Sequence, residues 1–298
     1  MKQKFKIWLR AARPFSLTAS IIPVTIGAIF AAKEAKFQFI YYLLSLLAAV
    51  LLQASVNMLN DYDDFINKVD TKESGSSSGV IFENLLTPEE LSKGGRLVLT
   101  LGCSLGLFLA FEKGAFILIL GAMGALSGYF YTGKPLMLKY RGLGNPLVFI
   151  IFGPLMMLGG YFVQIQRIST SVLLLSIPVG LLTTAILHAN DIRDIYNDEK
   201  AGIKTISIII GRANSCYIYS GLISLSYISV LAMTYYGVTP IWSLLCLITL
   251  PTALKNINKL RVSNGSNSEL ATLDQETAKL QGQFGVILII SILFSYVR

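Results

Sequence analysis

From Pro14 onward the chain alternates apolar blocks, each close to the twenty residues needed to cross a bilayer, with polar interruptions. Nine such blocks can be drawn, at 14–32, 37–60, 96–112, 114–131, 143–164, 171–190, 214–235, 238–254 and 281–297. Blocks this long and continuous predict transmembrane helices rather than the one-sided helices of a soluble core. The expected fold class is all-α, a polytopic membrane protein with residues 1–298 forming one membrane-embedded domain. Lys2, Lys4, Lys6 and Arg10 before the first block imitate the charged region of a signal peptide, but the eight blocks behind it favour an uncleaved first helix.

Composition agrees: 53% of residues are hydrophobic and 14% charged, against roughly 25% charged in soluble domains. The net charge of +8 raises nucleic acid as a partner, yet no basic stripe with interleaved aromatics is present, and none is expected to bind. Sorted by side, 20 of the 25 Lys and Arg fall on the face that carries the N-terminus. The positive-inside rule therefore places the N-terminus in the cytoplasm, in a cell (inner or cytoplasmic) membrane. The long interruptions, about 62–95, 191–213 and 255–280, lie on the same face, so the chemistry is expected there. Cys103, Cys216 and Cys246 sit in apolar blocks without metal-ligand spacing and read as packing residues.

Seven of the eight Asp fall in two clusters, Asp61, Asp63, Asp64 and Asp70, then Asp191, Asp194 and Asp198, each closing an apolar block. Ionisable groups at such depth point to function. If the helix of the second block continues, Asn57, Asn60, Asp61 and Asp64 share one face; past the sixth block, Asn190, Asp191, Asp194 and Asp198 do the same. Asn-Asp-x-x-Asp occurs at Asn60–Asp64 and again at Asn190–Asp194, four blocks later, so both copies face the same side. Opposed, they make an oxygen-rich cage suited to Mg²⁺, which is commonly held by a few carboxylates together with substrate phosphates. Lys68, Lys72, Lys134, Lys139, Arg141, Arg193, Lys200 and Lys204 attend the clusters, which suits a diphosphate leaving group whose growing charge needs clamping. A cation-coupled transporter is a rival reading, but transporters place such groups near the midplane on broken helices.

These residues resemble the UbiA superfamily of intramembrane prenyltransferases along nearly the whole chain. Arg13-Pro14-Phe15-Ser16-Leu17 with Pro23 is similar to its opening segment, and the two acidic motifs are similar to its paired signatures, the second continuing into Gly202-Ile203-Lys204-Thr205 and Gly211-Arg212. Asn60-Asp61-Tyr62-Asp63-Asp64 with Asp70, Tyr140-Arg141-Gly142-Leu143-Gly144, Gly160-Tyr161-Phe162-Val163-Gln164 and Glu276-Thr277-Ala278-Lys279-Leu280 resemble the MenA branch, the 1,4-dihydroxy-2-naphthoate polyprenyltransferases of menaquinone synthesis. Asp191 stands where that branch usually has Asn.

The resemblance implies nine helices around a central cavity and Mg²⁺-dependent transfer of a polyprenyl group from its diphosphate to an aromatic acceptor. With the naphthoate, transfer proceeds with loss of the carboxylate; 4-hydroxybenzoate, homogentisate or a lipid-like acceptor are the alternatives. Expected metal ligands are Asp61, Asp64, Asp191 and Asp194, with Asp70 and Asp198 as outer ligands, orienting groups or the base. Lys139, Arg141 and Lys204 are expected to clamp the diphosphate, while Asn57, Asn60, Lys72, Lys134, Asn190, Arg193, Tyr131 and Tyr140 bind substrate. Tyr62 and Tyr129 are further candidates to line the cavity, and His188, the only histidine, reads as a packing residue.

Overall fold

A computed structural model describes residues 2–71, 77–263 and 267–296. Thirteen α-helices occur among the described residues, and no strand. They are α1 (Lys2–Ala11), α2 (Thr18–Ala31), α3 (Phe39–Ile66), α4 (Pro88–Lys113), α5 (Ala115–Thr132), α6 (Gly144–Ile150), α7 (Met156–Ile165), α8 (Thr170–Lys200), α9 (Ile206–Ile210), α10 (Arg212–Tyr235), α11 (Leu250–Val262), α12 (Asn267–Leu270) and α13 (Leu273–Phe294).

Eight helical stretches among the described residues are long and apolar enough to cross a membrane, the fifth being α6 and α7 joined. The remaining expected block, 238–254, is divided: a 3-10 helix over Ile241–Thr249 turns into α11, whose N1 position is close to Pro251. A tighter helix rises faster per residue, so this short segment covers more depth than an α-helix of equal length. Between α6 and α7 the chain makes a π turn over Ile151–Leu155 around Pro154, which has no N–H to give the ladder.

Two helices overrun their apolar blocks, and both do so through the acidic motifs. α3 continues to Ile66 and α8 to Lys200, so the carboxylates sit on rigid helix rather than on loop. α4 also begins early, at Pro88. Thr87 and Glu90 form a reciprocal capping box there, worth about 1 kcal/mol. Among the described residues the interruptions 191–213 and 255–280 are therefore largely helical, whereas 62–95 is helical only at its two ends.

Helices in lipid gain little from burying apolar surface against one another, so close packing at small residues has to hold them. The crossings show this. A Cβ on Gly27 would overlap the Met157 carbonyl, and one on Gly160 would overlap that of Val24, so α2 and α7 meet backbone to backbone. α8 also crosses the π turn closely, with a Cβ on Gly153 falling 3.1 Å from the Gly180 Cα. Ile26, Met157, Tyr161, Leu175, Leu182, Phe284 and Leu288 fill the core between α2, α7, α8 and α13. Large apolar side chains such as Phe111, Leu107 and Ile119 face outward, as a bilayer allows.

Candidate active site

The two acidic helices wall one cavity of about 130 Å³. Asn57, Asn60 and Asp64 enter from α3, and Asp70 from the turn after it. Across the cavity, α8 contributes Asn190, Asp191, Asp194 and Asp198. Asp64, Asp70, Asp191, Asp194 and Asp198 are all buried. Lys139, carried by a 3-10 turn at Leu138–Tyr140, completes the wall.

Asp64 accepts three side-chain hydrogen bonds. Its Oδ2 accepts from Lys139 Nζ at 2.7 Å and Asn60 Nδ2 at 3.0 Å, and its Oδ1 accepts from the Tyr140 hydroxyl at 2.5 Å. Burial pulls the Lys139 ammonium toward neutrality, but Asp64, Asp70 and Asp198 outweigh it and hold the group well above the ordinary lysine range. Lys139 is a fixed positive charge at the cavity wall.

Asp61 is turned away from the cavity lining. Arg13 Nη2 donates to its Oδ1, and the Ser78 backbone N–H donates to Oδ2 at 3.0 Å. Arg13 has φ +51°, in the left-handed region that costs a non-glycine residue roughly 1–3 kcal/mol. Burial works against its charge, yet Asp61, Asp70 and Asp64 keep the guanidinium raised above its usual value. Arg13 also lines the cavity, so it joins the carboxylate it pairs with to the site it faces.

On the opposite wall Arg193 spans two acids. Its Nε and Nη2 donate to Asp194 at 2.8 Å each, and Nη1 lies 3.2 Å from Asp274 Oδ2 at the start of α13. Asn60 Oδ1 and Asn190 Oδ1 are buried oxygens that accept no hydrogen bond among the described residues, and both side chains line the cavity. Buried carbonyl oxygens left in that state are costly unless a donor or cation arrives.

Below the polar cavity lies an apolar one of about 170 Å³, walled by Leu52, Val56, Leu147, Ile186 and Leu187 among others. Asn57, Tyr131 and Asn190 line both. A charged head and a hydrocarbon tail can therefore be held by adjoining walls.

The sequence pattern of the UbiA prenyltransferase family matches residues 20–272. The chain belongs to the UbiA prenyltransferase family. It is 28% identical over 292 residues to the 1,4-dihydroxy-2-naphthoate octaprenyltransferase of Bacillus subtilis, covering 98% of this chain and 93% of that one. It is 33% identical over 300 residues to UbiA prenyltransferase domain-containing protein 1 of Gallus gallus, covering 99% and 86%. A UbiA homolog from Archaeoglobus fulgidus bound to GPP and Mg²⁺ superposes with a TM-score of 0.67 at 17% identity, over 95% of this chain and 99% of that one. This UbiA member is an enzyme of the prenyltransferase class and a multi-pass membrane protein.

Within the UbiA frame, the expected clamp divides. Lys139 reaches the cavity, whereas Arg141, Lys204 and Lys134 are exposed and none lines it. The backbones of Arg141 and Lys204 instead pair as an isolated parallel bridge, with Lys204 N–H donating to Tyr140 O at 3.1 Å. Those two residues position Tyr140 by main chain rather than touching the cavity by side chain. Lys72 lies outside the described residues, as do 264–266 of the polar Ser263–Ser268 loop. Tyr131 lines both cavities and Tyr140 binds Asp64, while Tyr129 is exposed and Tyr62 lines neither cavity.

Sequence reasoning missed Arg13 and Asp274. Arg13 stood in the opening segment without a role, and Asp274 is the single Asp outside both clusters. Only the folded chain brings them back. His188 is buried, donating from Nε2 to Ser215 O at 3.0 Å while Asn145 Nδ2 meets Nδ1 at 2.7 Å. Both ring nitrogens are occupied by the scaffold. His188→Gln is therefore expected to lower stability while leaving kcat within about fivefold, since a general base contributes on the order of 10²–10⁴; a hundredfold drop in kcat of the folded variant would make the ring catalytic.

Proposed function

We propose that this enzyme transfers a polyprenyl group from polyprenyl diphosphate to 1,4-dihydroxy-2-naphthoate, with Mg²⁺ and with the diphosphate at the cytoplasmic face. The single observation that carries the reading is the convergence of both acidic motifs and Lys139 on one polar cavity, continuous in its walls with an apolar one. The naphthoate is supported by the Bacillus subtilis relative of that name; Mg²⁺ and a prenyl diphosphate are supported by the Archaeoglobus fulgidus homolog.

The residues fit the ion. Among the described residues no three His, Cys, Asp or Glu side chains are grouped to hold a metal alone. Mg²⁺ ordinarily takes one or two carboxylates and completes its shell with phosphate and water, and buried Asn60 Oδ1 and Asn190 Oδ1 add neutral oxygens. Asp64 from one motif and Asp191 or Asp194 from the other are the proposed carboxylates, with Asp70 and Asp198 around them, and Asp61 acts through Arg13. Bound there, the ion supplies charge neutralisation to the leaving diphosphate.

The chain's own groups do the rest. Lys139 and Arg13 present permanent positive charge to the diphosphate, so the electron pair of the breaking C–O bond departs onto oxygens already balanced. The hydrocarbon walls of the lower cavity exclude water from the allylic cation that remains, and Tyr131 is the aromatic side chain among the polar residues that line both cavities. A C–C bond then forms to the electron-rich naphthalene ring, and the ring's carboxylate leaves as CO₂, returning its electron pair to the ring.

The test is direct: purified protein in detergent with Mg²⁺, labelled octaprenyl diphosphate and a panel of acceptors. Prenylated naphthalenediol with pyrophosphate and CO₂ released in equal amounts is the expected result. Product from 4-hydroxybenzoate or homogentisate but not the naphthoate would overturn the acceptor, and no pyrophosphate release with any acceptor would overturn the transfer.

A further inference from the structure

Resting on the prenyl-transfer reading, the structure also indicates where the far end of a long tail goes. Beyond the apolar cavity lies a second one of about 120 Å³, between α3, α4, α5 and α7. Leu52, Gly124, Ile151 and Met156 belong to the walls of both, which makes them a neck joining the two spaces. Along α3, Leu52 stands 12 residues before Asp64 and Ser45 stands 19 before it, so the neck is ~18 Å and the far wall ~28 Å from the carboxylate at 1.5 Å per residue. A geranyl tail ends in the first cavity. The neck is the opening that these shared walls offer a longer one.

The far cavity is almost wholly hydrocarbon and backbone, and it is lined by Gly106, Gly121 and Gly159. Glycine costs helix stability, roughly 1 kcal/mol relative to alanine, and is usually retained where two backbones touch. Here two of the three touch nothing: a Cβ on Gly106 or Gly121 meets no atom within 4 Å, and one on Gly159 meets only Leu120 Cδ1 at 3.9 Å. Packing does not explain them, in contrast to Gly27, Gly153 and Gly160. Space does. We infer that the tail of a long prenyl diphosphate threads past Leu52 and Gly124 into the cavity bounded by Gly106 and Gly121, and that these glycines determine how long a donor the enzyme uses.

A competing route is a groove between α2 and α13, where Phe15, Thr18, Gly282 and Val286 meet. It shares only Phe15 with the polar cavity and no wall with the apolar one. A Cβ on Gly282 falls 3.4 Å from Thr18 Cγ2, so a larger residue there narrows the groove.

The experiment compares kcat/KM for octaprenyl and geranyl diphosphate in the parent protein, Gly121→Leu, Gly106→Leu and Gly282→Leu. The octaprenyl-to-geranyl ratio is expected to fall about tenfold or more in Gly121→Leu and in Gly106→Leu, by overpacking of the tail, and to stay at the parent value in Gly282→Leu. The two helices α4 and α5 give independent trials, and geranyl turnover reports that each variant is folded. An unchanged ratio in both α4 and α5 variants, or a selective fall in Gly282→Leu, overturns the route. Failure of the parent protein with both donors overturns the prenyl-transfer reading instead.

Discussion

Asp64→Ala is expected to lower kcat by about a thousandfold in protein that still inserts and elutes as a folded species. Two losses coincide at that position. The carboxylate is a proposed ligand to the ion that balances the diphosphate, and it is the one acid that orients Lys139, Tyr140 and Asn60 together. Removing a single preorganised transition-state partner costs on the order of 10²–10³ in kcat, and disturbing groups that hold metal ligands adds roughly 10–100-fold. Asp63→Ala, one residue away, is the control: Asp63 accepts from Thr132 at 2.9 Å, does not line the cavity, and its loss is expected to change kcat by less than about fivefold. Initial rates of pyrophosphate release at saturating Mg²⁺ check both. Near-normal turnover of Asp64→Ala would remove this carboxylate from the site.

Arg13→Ala is expected to be the most destabilising single change at the site, by about 3–5 kcal/mol, because Asp61 then remains buried and uncompensated. The backbone allows the effect to be dissected. Arg13 occupies a left-handed conformation that glycine adopts freely, so Arg13→Gly should recover about 1 kcal/mol of the loss. Pairing Arg13→Ala with Asp61→Asn should recover more, since the second change removes the stranded charge; a double-mutant cycle in mild detergent measures the coupling. If Arg13→Ala and the double variant unfold at the same denaturant concentration, the ion pair is not what holds the α2 entry against α3. Activity separates a second contribution, as the cavity loses a cation in both variants while only one retains the unpaired acid.

The membrane helices and the paired acidic motifs were legible because each is a local pattern: apolar length for the spans, i, i+3, i+4 and i+7 spacing for Asn57, Asn60, Asp61 and Asp64. That spacing also implied that α3 and α8 run on through their motifs, as they do. The division of labour within the motif was not legible. Asp61 and Asp64 lie less than a turn apart, and which one faces the cavity depends on where Arg13 and Lys139 arrive from, 48 and 75 residues away. The arrangement of the basic residues was not legible for a related reason: Lys139, Arg141 and Lys204 are near one another in any loop drawing, and only the 3-10 turn and the bridge to Lys204 place Lys139 on the cavity wall and leave the other two exposed. The block at 238–254 was legible as apolar, but hydropathy does not distinguish a 3-10 segment from an α-helix.

The order in which the charges are neutralised has a bearing on how the protein is made. Arg13 precedes Asp61 in the chain, so the partner of this buried acid is already synthesised when the acid leaves the ribosome. Asp64 waits for Lys139, 75 residues later, and the second motif starts 130 residues after the first. At about 5–20 residues per second the second motif is made roughly 10 s after the first. The Arg13–Asp61 pair can thus form before the opposite wall of the cavity exists, and a change at Arg13 is expected to lower the yield of membrane-inserted protein as well as its rate.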